Sequence, residues 1–215
     1  MKRRKIRSLS VSEIGMGCMG FSHGYGQVPG AGYAEEAIRE AFGYGCNFFD
    51  TAEGYGKELY YPGHNEEIVG RAVRGFRNEV VIATKLHIRP EAVEDCGSVY
   101  AAVRRHLERS LKNLQIDYVD LYYLHRINME VDNLEVAHAM GRLIQEGLVR
   151  EWGISTVDKA QLEAAHAVTP VGAVQNIYSM VERTSEKRCH SFLRGKRDCF
   201  CAVLTCRQRT FIRKN

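Results

Sequence analysis

The 215-residue chain lacks the features that would direct it to a membrane or out of the cell. No apolar run approaches the ~20 residues that a helix needs to cross a bilayer. The basic start MKRRKIRSLS is not followed by the hydrophobic core of a signal peptide. The first three cysteines, Cys18, Cys46 and Cys96, lack the spacing of a metal site or a disulfide framework. We therefore expect a cytoplasmic protein with reduced thiols, no membrane partner and no metal.

What the sequence does contain is an alternation of strand-like and helix-like segments. The strand-like runs are continuous and apolar, as in strands buried on both faces, whereas the helical segments carry apolar residues at 3.6-residue spacing. Six strands are predicted, at 13–19, 46–50, 79–85, 118–125, 148–155 and 171–175. Five helices are predicted, at 33–44, 65–75, 97–114, 131–146 and 158–168. The alternation predicts an α/β fold of the TIM (β/α)8-barrel type.

Polar residues stand where three of these strand-like runs end. Asp50, Lys85 and His125 lie at or just beyond the C-terminal ends of their runs, and Tyr55 lies in the loop after the first. In a parallel barrel these ends meet at the face that carries the chemistry. Singly, each residue is as well explained by a solvated charge, a packed ring or a turn cap. The ordered set instead predicts a site where four side chains converge.

Together these side chains suit the reduction of a carbonyl group. A tyrosine hydroxyl, with an ordinary pKa near 10, donates a proton poorly unless a cation stabilises its phenolate. Lys85 could be that cation and Asp50 the carboxylate that holds it, since a buried ammonium needs a partner. His125 would hydrogen-bond the substrate oxygen or Tyr55. The set predicts general acid catalysis combined with stabilisation of an alkoxide.

Longer motifs resemble the aldo-keto reductase family from about Ser8 to Lys187. They are VSEIGMGCMGFSHGYG, DTAEGYG, NEEIVGRAV, IATK, DLYYLHR, LIQEGLVREWGIS and VGAVQNIYS. The resemblance implies a catalytic tetrad with Tyr55 as the acid, completed by Asp50, Lys85 and His125.

The resemblance also implies a cofactor site for NADP(H). Asp50, Ser155 and Gln175 are the implied cofactor-binding residues, the latter two as partners of the nicotinamide carboxamide. The family usually has Asn or Glu after that serine, whereas this chain has Thr156, so Thr156 receives no role.

The implied function is reduction of small aldehydes or ketones, with no nucleic-acid partner. The loops around Tyr25, Tyr60 and Tyr61 are expected to line the pocket mouth, where these aromatics either contact substrate or pack against their own loops. Two alternatives to an active enzyme stay open. One is a non-catalytic, cofactor-binding regulatory subunit like the potassium-channel β subunits, and the other is an inactive product of a damaged gene.

The length allows only about six of the eight βα units of a barrel, which typically takes ~250 residues. Forty residues follow Gln175, too few for two more units and the sixth helix. We therefore expect residues 1–187 to form a partial barrel with open edges at its first and sixth strands. Open sheet edges and uncovered apolar surface favour self-association.

Residues 188–215 differ in composition from the rest of the chain. They hold eight basic residues against one acid, a net charge of +7, while residues 1–187 carry −3. Four of the seven cysteines are here: Cys189, Cys199, Cys201 and Cys206. Three interpretations compete: a zinc or nucleic-acid module that also uses His190, a disordered basic tail, or sequence that is not native to the family.

A change of reading frame would account for this composition. A permitted choice of synonymous codons, with one base dropped near Lys187, encodes DVIPFCEENGIAFVPFSPVASGLLSGK. That segment has a helix, a strand and a glycine-rich loop in register with the preceding sequence. We therefore interpret 188–215 as a frame-shifted tail and expect it to be irregular coil or an isolated helix.

Overall fold

The computed structural model describes residues 1–22, 27–184 and 186, together with the backbone of 199–203. Its strands are β1 Arg3–Ile6, β2 Leu9–Ser12, β3 Met16–Gly17, β4 Phe48–Asp50, β5 Val81–Leu86, β6 Val119–Leu124, β7 Val149–Ser155, β8 Ala173–Ile177 and β9 Cys199–Val203. Its helices are α1 Ala31–Gly43, α2 His64–Val73, α3 Pro90–Cys96, α4 Val99–Leu114, α5 Asn133–Gln145 and α6 Lys159–Val168. None of the described helices is long and apolar enough to cross a membrane.

The main sheet is parallel and follows chain order from β3 to β9, as an incomplete βα barrel should. Helices separate consecutive strands from β3 to β8, which confirms the predicted α/β class. Helix α3 was not predicted separately, because its seven residues are too few to show a clear period. It begins with Pro90 in the first turn, where a missing N–H has no consequence.

The prediction for the tail was wrong at residues 199–203. Their backbone forms β9, parallel to β8, with Cys201 opposite Gln175. The edge of β8 would otherwise present unpaired N–H and C=O groups, and backbone pairing satisfies them whatever the side chains are. The sixth barrel strand is therefore covered, and the sheet of the described chain ends at β3 and β9. The proposed zinc ligands all lie outside the described side chains.

Two apolar clusters hold these elements together. The larger lies between the helices and the sheet, and the smaller fills the inside of the partial barrel. The β1–β2 hairpin supplies Ile6, Leu9 and Val11 to the smaller cluster and so closes the N-terminal end of the barrel. The hairpin is anchored by Glu151 of β7, which accepts the Ser8 hydroxyl at 2.6 Å. The opposite end, at the C-terminal ends of the strands, opens into a cleft.

Candidate active site

The sheet brings the four predicted residues together at the C-terminal ends of neighbouring strands. Asp50 ends β4, Lys85 is the penultimate residue of β5, and His125 directly follows β6. Tyr55 lies in the turn after β4, within hydrogen-bond distance of Lys85. A cleft of about 1540 Å³ opens there, and Asp50, Tyr55 and His125 line it.

Lys85 is the centre of this group. Its side chain is fully buried, and its ammonium donates to an Asp50 carboxylate oxygen, to the Thr51 carbonyl at 2.6 Å and to the Tyr55 hydroxyl at 3.2 Å. Burial alone would lower the pKa of Lys85, but the charge of Asp50 and then Tyr55 raise it above its ordinary value. Lys85 is therefore a cation at neutral pH, with an acceptor for each of its three protons.

His125 faces Tyr55 across the mouth of the site. The two ring centroids lie 5.8 Å apart at an interplanar angle of 83°. Burial, followed by the charges of Lys85 and Arg126, lowers the pKa of His125 to about 3. Its imidazole is therefore neutral at physiological pH, with one N–H donor and one acceptor nitrogen. It can hydrogen-bond a substrate oxygen without adding a second positive charge beside Lys85.

The loop that follows β4 and carries Tyr55 is held in place by residues at the start of α2. The Thr51 hydroxyl donates to the Asn65 side chain at 2.6 Å, and Asn65 donates to the Cys18 carbonyl at 2.9 Å. The buried Glu66 accepts from the Thr84 hydroxyl at 2.6 Å, which ties α2 to β5. Gly63 precedes α2 at φ 93°, and a Cβ there would lie 2.2 Å from the Asn113 side-chain nitrogen. Asn65 and Glu66 of the motif NEE therefore position the loop that carries Tyr55, a role not predicted from sequence.

Glu53 holds the same loop from the side. Its carboxylate accepts the backbone N–H of His87 at 2.7 Å and lies 2.7 Å from Nδ1 of His106 on α4. Arg109 approaches it at 3.6 Å. Glu53 belongs to the motif DTAEGYG, but the sequence carried no signal for these partners, which lie 34 to 56 positions further along the chain.

Ser155 and Gln175 stand opposite each other at the ends of β7 and β8. The Gln175 amide nitrogen donates to the second Asp50 carboxylate oxygen at 2.9 Å, so the predicted cofactor residue is linked to the tetrad. Arg126 donates to the Ser155 hydroxyl oxygen at 3.1 Å and to the His125 carbonyl at 2.6 Å. Arg126 was not predicted, although it belongs to the motif DLYYLHR. Thr156 follows with φ 57°, an unusual conformation for a β-branched residue.

The aromatic residues of the loop after Tyr55 pack against one another. Tyr60 stacks on His64 with centroids 4.0 Å apart, and Tyr61 meets the same ring edge-on at 5.3 Å. This matches the packing alternative for both tyrosines, and neither lines the cleft. Tyr25 lies outside the described residues.

The chain resembles aldo-keto reductases in sequence and in structure. It is 35% identical over 185 residues to "Probable aldo-keto reductase 1" of Glycine max and 36% identical over 182 residues to "Aldo-keto reductase yakc [NADP(+)]" of Schizosaccharomyces pombe. These alignments cover 84% and 82% of this chain and 52% of each relative, so the chain spans about half the length of the curated relatives it matches.

Solved structures give the same assignment. An aldo-keto reductase of Klebsiella pneumoniae in complex with NADPH matches with a TM-score of 0.78 at 28% identity, over 94% of this chain and 68% of that one. A thermostable aldo-keto reductase bound to the inhibitor epalrestat matches with a TM-score of 0.80 at 28% identity, over 94% and 72%. The sequence model of the Aldo/keto reductase family matches residues 13–199. The chain belongs to the aldo/keto reductase family.

Proposed function

We propose that this chain carries the catalytic site of an NADP(H)-dependent oxidoreductase that reduces aldehydes or ketones to alcohols. The observation that carries the proposal is the contact of the buried Lys85 ammonium with both Asp50 and the Tyr55 hydroxyl, beside a neutral His125. A structural ion pair would not need a half-buried tyrosine hydroxyl as its third partner at the mouth of a cleft.

The donors and acceptors around β7 and β8 fit the nicotinamide end of NADP(H). Ser155 keeps its hydroxyl proton to donate, because its oxygen accepts from Arg126. The Gln175 carboxamide oxygen forms no hydrogen bond with the described residues and borders the cleft. A hydroxyl donor and an amide acceptor complement a carboxamide. When bound, NADPH would supply the hydride. The Klebsiella pneumoniae structure with NADPH supports the choice of cofactor.

The residues of this chain would act on the carbonyl oxygen. Tyr55 and His125 would hydrogen-bond it, and Tyr55 would transfer its proton to it as negative charge develops. The Lys85 ammonium, 3.2 Å from the tyrosine oxygen, would stabilise the phenolate that remains. Asp50 would hold Lys85 in place, and Gln175 would hold Asp50.

A spectrophotometric assay of NADPH oxidation with a benzaldehyde substrate tests the proposal. We expect Tyr55→Phe to lower kcat by ~10²–10⁴-fold, the usual contribution of a general acid, with little change in the Kd of NADPH. Tyr60→Phe is the matched control, since Tyr60 packs on His64 outside the cleft. NADPH binding without turnover in the parent chain would instead support a cofactor-binding regulatory subunit, and full activity in Tyr55→Phe would refute the assignment of the acid.

We also infer that residues 1–187 are the family portion and that the reading frame changes near Lys187. The inference rests on the abrupt change in charge and cysteine content at Arg188. Sequencing the gene tests it, because the alternative frame must encode the predicted helix, strand and glycine-rich loop. If that frame encodes an unrelated segment, the inference fails.

A further inference from the structure

Two exposed cations and a histidine form one wall of the active-site cleft. Lys57 lies two residues after Tyr55, and His87 and Arg89 follow β5. All three line the cleft that also contains Tyr55 and His125. We call Lys57, His87 and Arg89 the cationic wall.

The fold holds the two segments of the cationic wall side by side. Strands β4 and β5 are hydrogen-bonded neighbours, with Asp50 opposite Ala83, so the loops that follow them begin next to each other. Glu53 accepts the His87 backbone N–H at 2.7 Å, and the Lys57 N–H donates to the Gly54 carbonyl at 3.4 Å. The buried Glu53 thus fixes the start of the loop after β5, at His87, against the turn that carries Lys57.

The positive charge of this wall is not neutralised by the described residues. The side chains of Lys57 and Arg89 form no hydrogen bond or ion pair with any of them. The nearby carboxylates of the cleft are already engaged: Asp50 with Lys85, Glu53 with His106 and Arg109, and Glu58 in an interaction of its own. Burial and then the charge of Arg89 lower the pKa of His87, so its imidazole is neutral at physiological pH and can donate one hydrogen bond.

The cationic wall lies away from the proposed nicotinamide site. Ser155 and Gln175 stand on β7 and β8, whereas His87 and Arg89 follow β5. In the order of the parallel sheet, β6 and β7 lie between β5 and β8. His125, at the end of β6, lies between β5 and the β7–β8 pair, and Tyr55 precedes Lys57 in the loop after β4, so the proposed position of the substrate carbonyl borders the cationic wall. An anion at the cationic wall would therefore belong to the substrate and not to the nicotinamide end of the cofactor.

We propose that the cationic wall binds an anionic group, best a carboxylate, carried by the carbonyl substrate. The inference rests on the proposed function and narrows it to aldehydes or ketones that bear a negative charge away from the reacting carbonyl. Lys57 and Arg89 supply the charge, Arg89 in the planar geometry that matches a carboxylate, and the His87 ring adds a neutral hydrogen bond.

Binding of two probes that share the benzaldehyde group but differ in charge tests the proposal. The probes are 4-carboxybenzaldehyde and its uncharged methyl ester, titrated calorimetrically into the full chain with saturating NADP+. We expect the acid to bind more tightly and Lys57→Gln/Arg89→Gln to weaken it about tenfold, as for two partly exposed ion pairs, while the ester is unaffected. High salt should also reduce the difference in affinity between the acid and the ester. Lys2→Gln/Lys112→Gln removes two exposed charges outside the cleft and serves as the control.

The outcomes separate this proposal from the proposed function. Equal binding of acid and ester, or an acid preference that survives Lys57→Gln/Arg89→Gln, overturns the anion site. A double variant that weakens NADP+ as much as the acid would assign these cations to the cofactor and overturn it too. Acid preference without NADPH oxidation would refute the proposed reductase activity and leave the anion site standing, whereas turnover of both probes without preference would do the reverse.

Discussion

Replacement of Lys85 by methionine is the most informative single perturbation of this protein. The change keeps most of the side-chain volume but removes the ammonium, which leaves Asp50 with Gln175 as its remaining side-chain donor and the Thr51 carbonyl without its 2.6 Å donor. Breaking a buried ion pair typically costs about 3–5 kcal/mol. The Asp50 side chain is 15% exposed, so we expect a loss of unfolding free energy at the lower end of this range. A loss of ~3 kcal/mol lowers the folded-to-unfolded ratio about a hundredfold.

Urea unfolding measures this loss, and Lys112→Met on the exposed face of α4 is the control. Adding Asp50→Asn to Lys85→Met should recover stability, because the unpaired charge is then removed. The pKa of Lys85 is raised, so the contribution of the pair is fully present at neutral pH and is lost only as pH rises through the folded-state pKa, above the ordinary lysine value of about 10.4. Unchanged unfolding together with unchanged NADPH oxidation in Lys85→Met would refute both the pair and its catalytic role.

Three further predictions follow from the same geometry. Because the pKa of His125 is lowered to about 3, the unfolded chain binds a proton between about pH 6.5 and 3 that the folded chain does not, so the unfolding free energy of the unsubstituted chain should fall as pH falls through this range. Thermal unfolding scans at several pH values should show a smaller loss for His125→Asn. The same pH dependence in both proteins would contradict the prediction. Thr156→Asn should stabilise by roughly 1 kcal/mol, because Asn tolerates a φ of 57° better than a β-branched residue, and an unchanged melting temperature would argue against strain there. Glu53→Gln keeps the side-chain shape but removes the charge near His106 and Arg109. We expect a lower kcat with KM little changed, and partial recovery of kcat in Glu53→Asp. Equal losses of kcat in both variants would show that Glu53 serves only stability.

The order and type of the main elements were predictable because they depend on local patterns. A strand buried on both faces is a continuous apolar run, and a helix repeats its apolar residues every 3.6 positions, so β5, β6 and α4 could be located without knowledge of their neighbours. The parallel arrangement then placed Asp50 and Lys85 at one face, because all strands of such a barrel end there.

Pairing between distant residues was decided by the tertiary structure alone. Glu53 meets His106, 53 positions away, and Gln175 meets Asp50, 125 positions away, although no periodicity connects the members of either pair. Strand β9 is the clearest case, because the frame-shift interpretation predicted irregular coil or an isolated helix there. A vacant backbone edge on β8 accepts almost any extended segment, since the ladder uses N–H and C=O groups that every non-proline residue carries. Local sequence determines the main elements up to β8, whereas tertiary packing determines β9 and which polar groups become partners.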